Sequence, residues 1–317
     1  MSVSRYHRQT ILPGFGPEAE AKLAASHAMI IGLGALGCPA ADLLARAGVG
    51  TLSLVDRDLV EFTNLQRQTL YAERDAGRPK AETAADRLRA VNGSIRVHAI
   101  VEDFSPCNAD AMLAAHPRPS VVLDCTDNFQ TRYLVNDACV KHGVPLVYGG
   151  AVGAEGVQFT VRPGQTACLR CLFPDPPAPG AAPTCDTAGI FAPVSAIIGA
   201  TQAADALKLL VAPRTLNCSL LRFDLWANKR SRLDLAGSRD SDCPCCQKKR
   251  FDFISMDVEP SILCGRNAVQ LPPAVHQIID LASVAARLAR HGSFQMHGPA
   301  TLTGTLNDGT PLTLFRD

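Results

Sequence analysis

The sequence predicts an α/β protein: a mostly parallel sheet with helices on both faces, an antiparallel extension and a small C-terminal annex. Three observations carry this expectation. Short apolar runs alternate with segments of helical period from residue 28 to residue 147. A glycine-rich turn follows the first run, and an acidic residue ends the second. After this rhythm, Gly156 to Arg162 reads as a strand near an antiparallel edge, and a hairpin pattern stands at 220–235.

Taken in order, an N-terminal arm precedes a short helix near Glu18 to Ala25. Strand-like runs then stand at 29–31, 52–55, 95–100, 121–123 and 144–147. Helical segments fill the gaps at Pro39–Ala47, Lys80–Val91, Ala109–Ala115 and Thr131–Lys141. Gly156 to Arg162 reads as a further strand near an antiparallel edge. Phe173 to Thr184 contains five prolines and is neither helix nor central strand, so it is expected to be a crossing loop. A long helix follows from about Val194 to Leu210, with alanines that suit close packing. Leu220–Trp226 and Ser231–Leu235 form a hairpin pattern. The boundary is set after Lys249, giving a main domain over 1–249 and an annex over 250–317. In the annex, Ala282–Leu288 is helical, and Asn307-Asp308-Gly309 is a turn between 300–306 and 311–315.

Composition excludes several classes. A net charge of +1 gives no electrostatic case for nucleic acid or a membrane surface as partner. Residues 1–9 lack the apolar core of a secretory signal, and no stretch has the roughly 18 uninterrupted apolar residues that span a bilayer. Cytoplasmic residence is expected.

The chemistry concentrates between Gly32 and Lys80. Gly32-Leu33-Gly34-Ala35-Leu36-Gly37 lies between a strand and a helix, where glycines admit a phosphate to the backbone and free N–H groups face it. Asp56 comes 24 residues after Gly32 and is placed to bond a ribose hydroxyl. This much serves NAD and ATP equally. Asp58, Asn64, Arg67 and Lys80 follow, and no hydride transfer needs them. Arg67 and Lys80 are suited to neutralise a leaving pyrophosphate. Lys80 stands at a helix start, which disfavours a cation unless an anion lies near. Asp124-Cys125-Thr126-Asp127-Asn128 ends a predicted strand, so Asp127 is placed to hold Mg²⁺ against phosphate oxygens, or one of these residues caps the next helix.

The chain has twelve cysteines, and Cys38, Cys125 and Cys139 sit in apolar contexts typical of core. Cys168–Cys171 and Cys243–Cys246 are two CxxC pairs whose four thiols suit structural Zn²⁺; an iron–sulfur cluster is the competing use, but nothing here needs an electron. Cys245 is an alternative ligand. Cys185 lies just past the proline-rich loop, where it is either reactive or incidental.

As a set, Arg5-Tyr6-x-Arg8-Gln9, the glycine loop, Asp56-x-Asp58, Asn64-Leu65-x-Arg67-Gln68, Lys80, Asp124-x-Thr126-Asp127-Asn128 and both CxxC pairs resemble the MoeB/ThiF family. These are Rossmann-like bacterial relatives of the ubiquitin-activating enzymes. The resemblance runs from about Arg5 to Cys246. It implies Mg-ATP-dependent adenylation of the C-terminal glycine of a small ubiquitin-like sulfur carrier, with release of pyrophosphate. It implies an essential Asp127 associated with Mg²⁺, and nucleotide contacts from Asp56, Asn64, Arg67 and Lys80. It further implies a homodimer in which Arg8 reaches the partner's site, zinc on the four cysteines, and a mobile-loop cysteine at Cys185. The carrier's Gly-Gly tail would thread toward Asp127 beneath Pro174–Thr184. The annex is too short for the rhodanese-like domain of some members, so a separate sulfur donor is expected and Cys264 is read as structural. An NAD-dependent oxidoreductase and a non-catalytic scaffold that binds a ubiquitin-like protein are the rival readings.

Overall fold

The computed structural model describes residues 4–178, 181–216, 218–256, 261–263, 268–270, 279–298 and 301–316. Cys264 and the side chains of Cys185 and Asp186 lie outside the described residues.

An eight-stranded sheet forms the centre, in the order β3-β2-β1-β4-β5-β6-β7-β8. Its parallel half contains β1 (His27–Ile31), β2 (Thr51–Val55), β3 (Arg96–Ile100), β4 (Val121–Asp124) and β5 (Leu146–Val152). β1 and β2 are buried at every position, as strands covered on both faces must be. The antiparallel half adds β6 (Glu155–Val161), β7 (Ser219–Asp224) and β8 (Lys229–Asp234). β5 starts later and runs further than its apolar run predicts. Pro145 delays its entry, and pairing with β6 carries the strand through Gly149 and Gly150.

An N-terminal turn, α1 (His7–Thr10), and α2 (Gly16–Ala25) lead into β1. α3 (Gly37–Ala47) and α4 (Lys80–Val91) then cover one face. α5 (Ala109–Ala114), α6 (Phe129–His142) and the short α7 (Leu169–Leu172) cover the other. Asn128 starts α6 two residues earlier than expected, its side chain accepting from the amides of Gln130 and Thr131. A single turn, α8 (Cys185–Ala188), precedes the long α9 (Ala192–Val211). α9 is long and apolar enough to cross a membrane by length and composition alone. Here it lies on the sheet, with Val194, Ile198, Ala203 and Ala206 buried in the core shared with α3.

The proline-rich segment crosses without regular structure among its described residues. At its start Tyr133 donates to the carbonyl of Phe173 (3.0 Å), and beyond it the amide of Phe191 donates to Gly153 (2.7 Å). In the annex the expected helix α10 (Leu281–Leu288) and hairpin are present. Two short strands, β9 (Ser261–Leu263) and β10 (Ala268–Gln270), pair with each other. β11 (Gly292–His297), which its sequence does not signal, joins β12 (Thr301–Leu306) and β13 (Pro311–Phe315) in a three-stranded antiparallel sheet.

Candidate active site and cysteine clamp

The strand order reverses between β1 and β4, and the crevice of an open α/β sheet lies at that point, beyond the carboxyl ends of the strands. The glycine loop leaves β1 there. Gly32 has φ +87°, and a Cβ on it would sit 2.9 Å from the carbonyl oxygen of Cys125. A Cβ on Gly37 would lie 2.0 Å from the oxygen of Gly32, so the loop closes on itself only with glycine at both places. Gly34 differs: a Cβ there meets only the Gln68 Nε2, at 3.7 Å. That side is open to a ligand. The start of α3 has no side-chain cap, but its Cys38 amide donates to the carbonyl of Gly34 (3.1 Å) and Pro39 has no N–H, so an anion there would meet the loop amides up to Gly37.

Asp56 holds this loop in place. Its Oδ2 accepts from the amide of Leu33 and its Oδ1 from the amide of Asp58, both at 2.7 Å. Burial pushes its carboxyl up to about 6, and the charge of Asp58 adds to the rise while Lys80 opposes it. A carboxylate has about four lone-pair sites, so two remain for a ribose. Lys80, 4% exposed, donates to Asp58 Oδ2 at 3.0 Å. The anion that offsets the helix dipole at Lys80 is therefore Asp58 of this same chain.

Asn64 is buried and its Oδ1 accepts from the amide of Glu61 (3.3 Å), so it also shapes its own turn. Arg67 is half-buried and donates to the carbonyl of Thr63 at 3.0 Å. Asp127 is exposed at the end of β4, released from capping because Asn128 does that work. Three residues earlier, Asp124 is fully buried, with Oδ1 accepting from the Thr126 amide (3.0 Å) and hydroxyl (2.7 Å). Its Oδ2 has no hydrogen-bond partner, and burial raises its carboxyl. Two acids at the end of one strand fit a hard, oxygen-liganded cation such as Mg²⁺.

Arg8 is not brought to this crevice. Tyr6 accepts from Asn92 Nδ2 (2.8 Å) and Gln9 donates to the carbonyl of Ala47 (2.9 Å), fixing the arm at the C-terminal end of α3. The eleven residues of α3 put about 16 Å between that end and the glycine loop.

Several groups are not anticipated from the sequence. Tyr71 donates to the carbonyl of Leu33 (2.9 Å) and lies 3.4 Å from that of Lys80, tying loop to lysine. Gln68, already marked by the Asn64-Leu65-x-Arg67-Gln68 motif, is buried and faces Gly34 with its Oε1 unpartnered. Arg132, also buried, donates to the carbonyl of Thr126 (2.8 Å) and to the Tyr148 hydroxyl (3.3 Å). Gln202 donates from Nε2 to the carbonyls of Asp124 (2.7 Å) and Val147 (3.1 Å), pinning α9 to the crevice floor. The readable signal was helical spacing: Arg132 shares a face with Val135 and Cys139, and Gln202 with Ile198 and Ala206, all buried.

The four predicted thiols do converge. The sulfurs of Cys168, Cys171, Cys243 and Cys246 lie within 4.8 Å of one another, with Cys168–Cys243 at 3.6 Å and Cys171–Cys246 at 3.4 Å. A tetrahedral zinc with 2.3 Å bonds spaces its sulfurs by about 3.8 Å, so the donor set fits Zn²⁺. Burial and the neighbouring thiols push Cys246 up to about 11, the repulsion that a bound dication removes. Cys245 is outside the tetrad; Asn136 Nδ2 lies 3.4 Å from its sulfur, while Asn136 Oδ1 accepts from the Leu169 amide (2.9 Å). Cys38, Cys125 and Cys139 are buried core, and burial pushes the Cys38 thiol up to about 12.

The ThiF family model matches residues 6–245. The sulfur carrier protein ThiS adenylyltransferase of Bacillus subtilis (strain 168) is 41% identical over 319 aligned residues, covering 99% of this chain and 92% of the relative. The sulfur carrier protein adenylyltransferase of Thermus thermophilus is 42% identical, over 83% of this chain and 97% of the relative. Among solved structures, E. coli MccB with ATP superposes with a TM-score of 0.65 at 26% identity, covering 78% of this chain and 74% of MccB. MccB with AMPCPP and MccA gives 0.65 at 27%, covering 77% and 74%. On the family match over residues 6–245 and relatives more than 40% identical over most of its length, this chain belongs to the ThiF family.

Proposed function

We propose that this enzyme uses ATP to adenylate the C-terminal glycine of a small ubiquitin-like sulfur carrier. The observation that carries the reading is the convergence of the glycine loop, Asp56, the Lys80–Asp58 pair and Asp127 at the carboxyl ends of β1, β2 and β4. The adenosine ribose bonds Asp56, and the phosphates run over the open side at Gly34 toward the start of α3. The carrier's carboxylate attacks the α-phosphorus, an acyl-adenylate forms and pyrophosphate leaves. Lys80 and Arg67 stabilise charge on that leaving group, with Asn64 beside them. Mg²⁺, when bound, supplies further shielding of phosphate charge, and Asp127 would hold it with Asp124 behind.

The carrier's extended Gly-Gly tail passes beneath residues 174–184. Its folded body meets the antiparallel half of the sheet, where Phe191 and the exposed Trp226 stand edge-on at 6.0 Å. Cys185, which follows that loop, is the residue to test for a covalent carrier adduct. The acyl-adenylate is consumed by sulfur from a separate donor; a Drosophila willistoni relative described as both adenylyltransferase and sulfurtransferase is 39% identical, and this chain covers 58% of its length. Residues 1–249 are the adenylation unit and 250–317 an annex, joined where Phe251, Phe253 and Ile254 pack on the main core. An ATP-rich compartment, the cytoplasm, is where the reaction belongs.

ATP–pyrophosphate exchange stimulated by a purified carrier ending in Gly-Gly tests the reading. Tight NAD binding with no exchange sinks it, and carrier binding without adenylate favours a scaffold. Because Arg8 is exposed far from its own crevice, it acts on a second copy in a homodimer. Mixing Arg8→Ala with Asp127→Ala subunits then restores part of the activity that each alone lacks; no restoration rejects the shared site.

A further inference from the structure

The annex lies outside the family match, which ends at residue 245, yet it grips the nucleotide segment at both ends. At the front, Arg57 stands between Asp56 and Asp58. Its guanidinium pairs with Asp103 Oδ2 at 3.0 Å, just past β3, and lies 5.9 Å from the ring centroid of Phe315 on β13. Only 16% of the Arg57 side chain is exposed. At the rear, a Cβ on Gly77 would lie 3.5 Å from His297 Cε1, and one on Gly298 would lie 3.1 Å from Glu82 Oε2 on α4. Gly77 begins the turn that delivers Lys80, since its amide bonds Val60 (2.8 Å) and the Lys80 amide bonds Asp58 (2.8 Å). His297 is itself fixed by Thr303 Oγ1 at 2.7 Å.

These contacts fall on the segment that supplies Asp56, Asp58 and Lys80. Asp56 and Asp58 flank a residue whose cation is shared between Asp103 and an aromatic face. Moving Arg57 moves both acids, because one backbone carries all three. We propose that the annex is a brace on the nucleotide site: Phe315, acting through Arg57, is a positioning residue that sets the acids for ATP. The inference rests on the adenylation reading only in taking ATP as the ligand.

The test measures equilibrium ATP binding and the KM and kcat of pyrophosphate exchange on the full chain. A desolvated cation–aromatic contact predicts roughly 3- to 10-fold weaker ATP binding for Phe315→Ala, with KM raised and kcat little changed. Phe315→Tyr keeps the ring and restores affinity. Arg57→Ala, which leaves the annex sequence intact, gives a similar loss, and the double variant is no worse than Arg57→Ala alone. That set of results supports the brace. If wild type binds ATP and both Phe315→Ala and Arg57→Ala bind it within twofold, the brace is wrong and the adenylation reading stands. Additive losses in the double variant also overturn it, because the ring would not then act through Arg57. If wild type binds no ATP, the adenylation reading fails and the brace with it.

Discussion

The nucleotide crevice and the cysteine clamp are built on opposite principles. The crevice takes its groups from the ends of neighbouring strands, and its polar atoms are held slightly short of satisfaction. Asp124 Oδ2 and Gln68 Oε1 have no partner, Asp56 is pushed up to about 6, and one side of the glycine loop is open. The clamp joins segments 75 residues apart, and its four sulfurs turn toward one another. Around it Asn136 Oδ1 accepts from the Leu169 amide (2.9 Å) and Arg170 pairs with Asp252 (3.1 Å). A site that must exchange its ligand keeps valences free, whereas a site that fixes the fold spends them.

Separating fold from activity therefore tests the contrast. The largest effect is expected at the clamp: Cys243→Ser, or exhaustive chelation, costs about 5 kcal/mol or more of stability. Thermal unfolding should fall steeply in parallel with zinc content; an unchanged melting temperature in metal-free protein would break the contrast. Next comes Asp127→Ala, with a loss of exchange on the order of 10²–10³-fold and a melting temperature within a degree or two of wild type. A matching loss of stability would make Asp127 structural instead.

The glycine loop sharpens the distinction within a few residues. Gly37→Ala drives a Cβ to 2.0 Å from a backbone oxygen and should destabilise by about 3 kcal/mol. Gly34→Ala, with open space around it, should leave unfolding unchanged and weaken ATP binding. Calorimetry and ATP titration of the two variants should thus give opposite patterns. The smallest effect is pH-dependent. With Asp56 at about 6, burial being the main cause, its carboxyl goes from mostly ionised at pH 7 to mostly protonated at pH 5. A protonated carboxyl accepts more weakly, so KM for ATP should rise a few-fold as pH falls through 6. Asp56→Asn should flatten that profile, and a profile of unchanged shape would assign the titration elsewhere.

Much of the crevice was legible because its chemistry is local in sequence. Gly32 to Gly37, Asp56, Asp58 and the acids at the end of β4 each follow an apolar run, and the end of a strand is where a parallel sheet presents its loops; Lys80 was legible as the start of a helix. Tyr71, Arg132 and Gln202 were not legible as site residues. Tyr71 lies in an irregular stretch and the other two lie within helices of ordinary composition, and only packing turns them toward the crevice. Helical spacing marks Arg132 and Gln202 as buried, but not what they bond.

By itself the sequence determined the alternation of strands and helices, the conformation of the glycine loop and the identity of the four thiols. Those properties follow from local backbone geometry and from the donor chemistry of single residues. The tertiary structure decided the rest. It gave Lys80 its anion in Asp58, left Arg8 far from its own crevice and set Phe315 against Arg57. Each of these is a distance between residues remote in sequence, fixed when the burial of apolar surface closes the fold, and no local pattern encodes it.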